Sequence, residues 1–254
     1  MTAAVTLGVS LKMYFSPAET ATWSGAVAAI AREHDAVLSG RVELFVLPSF
    51  PMIPATVAAF AGTAVAVGAQ DLMWEDRGAF TGGVSGLDLR ALGCRYAEVG
   101  HAERRGVFGE DDHIVRRKLA AAVRTGLVPV FCVGERERTS PDAAAAACSA
   151  QLAAALRDVP ANDAVELVVA YEPEWAIGAE QSASADYIRT VTAGLRDWLA
   201  VAPGLGTTRV IYGGSAGPGL LPQLDGAADG LFLGRSAHDP AAVARVLDET
   251  LSVR

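Results

Sequence analysis

Three stretches, VPVFCV (Val128–Val133), the alanine-rich SPDAAAAACSAQLAAAL (Ser140–Leu156) and ELVVA (Glu166–Ala170), read in succession as strand, helix and strand. The two strand segments are short apolar runs without polar alternation, which is how parallel strands covered on both faces read. Ser140 ahead of Pro141 is a helix start: a capping hydroxyl followed by a residue that needs no hydrogen-bonded N–H. The same alternation continues in both directions. Upstream, strands are expected at Val5–Val9, Val42–Leu47, Ala64–Ala69 and Tyr96–Val99; downstream, at Thr208–Tyr212 and Gly230–Leu233. Further helix starts stand at Ser16-Pro17, Ser184 and Asp239-Pro240. Eight strand–helix units in 254 residues leave about 32 residues each. No Gly/Ser/Pro linker interrupts them, so residues 1–254 read as one domain. Right-handed crossovers close eight such units into a (β/α)8 barrel. The alternative is a doubly wound open sheet, but no G-x-G-x-x-G follows the first strand.

Composition agrees with a globular chain: 51% hydrophobic, 20% charged, 26 Gly and 12 Pro. Disordered, collagen-like and rod-like classes are thereby excluded. With 21 basic against 29 acidic residues the net charge is −8, and no basic run is present. That balance argues against nucleic acid and against anionic membrane as partners. Of the basic residues only Lys12 and Lys118 are lysines. Cys94, Cys132 and Cys148 are odd in number and irregular in spacing, which suits buried reduced thiols better than disulfides or a zinc site. The opening MTAAVTLGVS has no basic region before its apolar residues, and no apolar run reaches membrane-spanning length. A cytoplasmic protein is expected.

In a barrel the chemistry belongs at the carboxyl ends of the strands. The first strand runs into Ser10-Leu11-Lys12, where a lysine at the edge of apolar structure either has a partner or ligand or snorkels to solvent. The fourth ends in Gly100-His101-Ala102-Glu103; His101 is either a proton-handling group or an ordinary loop histidine, and Glu103 is placed to hold a cation such as Lys12. The sixth delivers Glu172 ahead of Pro173 and an apolar Trp175-Ala176-Ile177 tip, which reads as a carboxylate base beneath a lid. The seventh and eighth end in Tyr212-Gly213-Gly214-Ser215 and Gly234-Arg235-Ser236, paired glycine turns, each read as leading into a short helix, that offer backbone N–H groups to an anion.

These motifs together resemble the triosephosphate isomerase family over essentially the whole chain. They are Leu11-Lys12-Met13, GAFTG (Gly78–Gly82), GHAERR (Gly100–Arg105), CVGE (Cys132–Glu135), YEPEWAIG (Tyr171–Gly178) and YGGS (Tyr212–Ser215). The resemblance implies a TIM barrel and an isomerase that works through an enediolate with no metal or organic cofactor. It makes Glu172 the base, His101 a neutral polarising group and Lys12 the stabilising cation, oriented by Glu103. Gly178, Ser215, Gly234 and Arg235 would hold the substrate phosphate beneath a lid of residues 173–179, with Tyr212 in support. This family is itself the standard illustration of such a base, histidine and closing loop, so these roles come with the resemblance. It also implies a homodimer through the loop Gln70–Gly83, which in the family inserts beside the partner's active site.

Four positions depart from the family pattern: Ser10 for asparagine, Ala102 for serine, Gly83 for glutamate and Arg235 for glycine. The proton-transfer residues survive, so the changes fall on the wall around the substrate. Ser10 and the Gly234-Arg235-Ser236 turn resemble a branch that converts L-erythrulose 1-phosphate to D-erythrulose 4-phosphate. That substrate is dihydroxyacetone phosphate with CH2OH in place of one hydrogen on the reacting carbon. A triosephosphate isomerase with neutral substitutions is the alternative, and a non-catalytic phosphosugar-binding barrel is a more distant one.

Overall fold

A computed structural model describes residues 5–160 and 164–252. Eight strands form a closed parallel barrel in chain order: β1 (Val5–Ser10), β2 (Val42–Leu47), β3 (Ala66–Ala69), β4 (Tyr96–Val99), β5 (Val128–Val133), β6 (Val165–Tyr171), β7 (Leu205–Tyr212) and β8 (Gly230–Leu233). β1 closes it by pairing with β2 on one side (Val5 opposite Val42) and β8 on the other (Thr6 opposite Gly230). The helices are α1 (Pro17–Glu33), α2 (Asp35–Leu38), α3 (Ile53–Ala59), α4 (Gly86–Ala91), α5 (Ala102–Phe108), α6 (Asp112–Arg124), α7 (Pro141–Ala155), α8 (Ala185–Val201), α9 (Leu221–Leu224) and α10 (Pro240–Thr250). The expected starts are the N-caps: Ser16, Ser140, Ser184 and Asp239 each accept a first-turn N–H. At Ser16 the Glu19 carboxylate returns the bond and completes a capping box.

Two apolar layers follow from the strand alternation. Outward side chains such as Val9, Leu44, Val99 and Leu167 pack under the helices. Inward ones, including Phe45, Tyr96, Val130, Val168, Ile211 and Phe232, fill the barrel. The Phe45 and Tyr96 rings stack at 4.4 Å, with Phe232 6.1 Å from Phe45. Burial of each such side chain is worth about 1.5–3 kcal/mol. Gly8 is required here, since a Cβ would lie 2.4 Å from Phe45 and 2.7 Å from Phe232. The plug leaves only the carboxyl end of the barrel open to chemistry.

Four strands differ from their expected bounds; β1 and β6 do so by single residues, running on to Ser10 and spanning Val165–Tyr171. β3 starts at Ala66 rather than Ala64, because the Val65 N–H is taken by Thr63 Oγ1 (3.2 Å) and pairing begins one residue later. β7 reaches back to Leu205, paired with Val165 across an irregularity that apolar patterning does not register. The turn after β7 also differs from expectation: it runs on to Leu221 before any helix forms, whereas the β8 turn enters a 3-10 turn at Arg235–His238 directly. Among the described residues no helix is long and apolar enough to cross a membrane. The three cysteines are free and buried. Burial pushes the Cys94 thiol up to about 11 and Cys148 to about 12, and carries Cys132 well upward too, which makes them inert.

Lys118, the second lysine, is structural. It sits buried on α6 with its Nζ 2.5 Å from both Asp71 and Glu110, and Arg104 pairs with the same two carboxylates. Breaking one partner of such a buried network leaves an uncompensated charge. It ties down the first part of the loop Gln70–Gly83, as do Arg117 on Glu75 and Arg124 on Asp76. Trp74, within the same loop, is packed against the core beneath the Arg117 guanidinium. Phe80 at the tip stays exposed.

Candidate active site

The strand ends place the expected residues around one cavity of about 1070 Å3. Ser10, Lys12, His101, Glu172, Gly178, Ser215, Gly234 and Arg235 all line it. Its size suits a small phosphorylated sugar.

Lys12 follows β1 in a left-handed conformation (φ 50°), unfavourable for a side-chain-bearing residue and typical of backbone held for function. Gln70 supports that turn by donating to the Lys12 and Leu47 carbonyls (3.0 and 2.9 Å). The Lys12 ammonium donates to Glu103 Oε1 at 2.6 Å, so Glu103 orients it. Burial opposes its charge, but Glu103, with Glu172 and Glu98 further away, outweighs burial and holds the Lys12 pKa above its ordinary value.

Gly100 (φ 74°) turns the chain so that His101 caps α5. Its Nδ1 accepts the Glu103 N–H at 3.0 Å, which commits that nitrogen as an acceptor and leaves the proton of a neutral ring on Nε2. Nε2 faces Glu172 Oε2 at 3.3 Å. Both side chains are buried. Glu172 Oε2 makes no hydrogen bond, and a buried carboxylate oxygen left unsatisfied beside a donor is costly unless the site uses it. The Glu172 side chain is hemmed in by Gly213, where a Cβ would lie 2.5 Å from its Oε1.

Residues 173–179, the segment expected to be a lid, lie against the turns after β7 and β8. Ser215 Oγ reaches the Ala176 and Ala179 carbonyls (2.8 and 3.0 Å). The Tyr212 hydroxyl accepts the Ala183 N–H at 3.0 Å and donates to the Gly214 carbonyl. Arg235 spends one guanidinium N–H on the Gly178 carbonyl (3.1 Å), so its side chain joins the β8 turn to the lid. Among the described residues no group of three or more His, Cys, Asp and Glu is placed to hold a metal ion.

Two residues went unremarked as individuals in the sequence reading. Glu135, within CVGE, is buried and accepts from Tyr171, Trp175 and Tyr187, anchoring the lid's first half (Trp175 Nε1 at 2.8 Å). Glu98, a lone carboxylate within the apolar β4, points inward and accepts the Ser10 hydroxyl at 3.1 Å. Its position between apolar neighbours was the signal that could have found it.

A family profile described as Triosephosphate isomerase matches residues 5–250. The chain is similar to an L-erythrulose-1-phosphate isomerase of Pectobacterium atrosepticum, 52% identical over 98% of this chain and 96% of the relative. It is also similar to a triosephosphate isomerase of Moorella thermoacetica, 42% identical over 83% of this chain and 86% of that one. A Brucella abortus L-erythrulose-1-phosphate isomerase is 40% identical over 91% of this chain and 90% of its own. The chain belongs to the triosephosphate isomerase family. It is an isomerase.

Proposed function

We propose that the protein converts L-erythrulose 1-phosphate to D-erythrulose 4-phosphate by proton transfer through an enediolate. The observation that carries the substrate choice is the 52% identity over nearly the full length of both chains with a relative bearing that activity in its name. The triosephosphate isomerases compared reach 42% over 83% of this chain or less.

Glu172 takes the proton from the hydroxyl-bearing carbon next to the carbonyl. The electron pair moves into a carbon–carbon double bond, and the carbonyl oxygen becomes the enediolate oxygen. The Lys12 ammonium stabilises that charge, while the His101 Nε2–H serves the two oxygens and relocates the proton between them. Returning the carbon-bound proton from Glu172 to the former carbonyl carbon completes the shift with atoms and charge balanced. Gly178, Ser215 and the Gly234-Arg235 backbone hold the phosphate. The closed lid excludes water and suppresses loss of phosphate from the intermediate. Buried, unpaired thiols suit the reducing cytoplasm.

Turnover of L-erythrulose 1-phosphate in D2O tests this reading. The expected product is D-erythrulose 4-phosphate carrying solvent deuterium at the carbon that receives the proton. A lack of turnover of L-erythrulose 1-phosphate would contradict it.

The active form is a homodimer in this account. Phe80, Met13, Tyr14, Val107 and Phe108 are all exposed apolar side chains. They lie on segments following β3, β1 and β4, which emerge at one end of the barrel. Exposed apolar surface of this kind marks an interface. Light scattering should return twice the 26.3 kDa chain mass. A single-chain mass at micromolar concentration with full activity would overturn it.

A further inference from the structure

We propose that Ser10 and Glu98 together read the terminal hydroxymethyl group of the substrate, with Ser10 touching it and Glu98 positioning Ser10. The proposal rests on the tetrulose reading and names the residues that distinguish it from the triose reaction. Ser10 is the last residue of β1 and alternates with the outward Val9, so it faces the barrel interior, whereas Lys12 stands beyond the strand end in a left-handed turn. The substrate lies with its phosphate toward Gly178 and Ser215 and its reacting carbon at Glu172. The chain beyond that carbon therefore runs away from the phosphate, toward the interior wall where Ser10 lines the cavity.

What Ser10 offers there is decided by Glu98. Ser10 Oγ donates to Glu98 Oε2 at 3.1 Å, a bond that crosses the barrel interior from β1 to β4. The other carboxylate oxygen, Oε1, lies 3.9 Å from Cys132 Sγ, a weak donor. With its one hydrogen committed, Ser10 presents lone pairs to the cavity and is an acceptor for a substrate O–H. A bond to a carboxylate polarises the serine oxygen and strengthens the next bond in the chain. Dihydroxyacetone phosphate has no hydroxyl at that depth, so it leaves this acceptor unmet. Sites built to bond a substrate hydroxyl reject analogues that lack it far more strongly than sites that only make room. Burial pushes the Glu98 carboxyl up to about 7, with Glu172 adding to the effect.

The test compares kcat/KM for L-erythrulose 1-phosphate and dihydroxyacetone phosphate in the purified protein and in Glu98→Gln, Ser10→Ala and the double variant. Glu98→Gln keeps the size and removes the charge; the tetrulose-to-triose ratio should fall about tenfold. Ser10→Ala removes the acceptor, and the ratio should fall by about 10²-fold. Because Glu98 acts through Ser10, adding Glu98→Gln to Ser10→Ala should leave the ratio where Ser10→Ala put it. A parallel loss on both substrates, with the ratio unmoved, would make the pair merely structural and sink the proposal alone. Preference for the triose in the unmutated protein would instead defeat the substrate reading, and the proposal with it. Should Glu98→Gln fold poorly, Ser10→Ala carries the same ratio measurement.

Discussion

Replacing Glu172 by glutamine is expected to lower turnover by about 10²–10⁴-fold, the range for loss of a general base. That corresponds to about 3–5 kcal/mol of barrier. Glutamine has nearly the same shape, so it fits beside Gly213, where a Cβ would lie only 2.5 Å from Oε1. It also keeps the contact that Oε2 makes with His101 at 3.3 Å. What it loses is the capacity to accept a proton from carbon. Binding of a phosphate-bearing inhibitor should change little, because the substitution leaves the proposed phosphate holders Gly178, Ser215 and Gly234 untouched. Near-normal kcat in Glu172→Gln would remove this carboxylate from the mechanism.

The strands were legible where apolar runs end abruptly. Val42–Leu47, Tyr96–Val99, Val128–Val133 and Gly230–Leu233 have the expected bounds, the first followed by Pro48 and the others by Gly100, Gly134 and Gly234. β3 was misread by two residues because a side chain, Thr63, competes for a backbone N–H, and periodicity carries no trace of that. The strand-end residues were legible because the fold directs them to one mouth. The Lys12–Glu103 bond was anticipated from charge alone and is present. The Ser10–Glu98 bond was not, since the partners stand 88 residues apart on strands that meet only across the barrel's interior. Neither was the direction of Arg235, which depends on where the lid's Gly178 carbonyl sits when the lid lies on the β8 turn.

Substrate choice carries the other large effect. A cavity that merely tolerates an added CH2OH gains roughly 10–200-fold, whereas one that hydrogen-bonds its hydroxyl reaches about 10⁴. On the proposal made above, the Ser10 acceptor puts this protein in the second class. The triose, shorter by one carbon, is held less firmly against Glu172 and His101, so it should lose kcat as well as affinity. Changing Ser10→Asn and Arg235→Gly together should shift the preference toward the triose. The Ser10 half should dominate, because the Arg235 side chain serves the lid. The most direct measurement is competition between L-erythrulose 1-phosphate and dihydroxyacetone phosphate for the unmutated protein, both present at equal concentration. L-erythrulose 1-phosphate should be consumed first, with kcat/KM higher by more than about 200-fold; preferential consumption of dihydroxyacetone phosphate would contradict this reading.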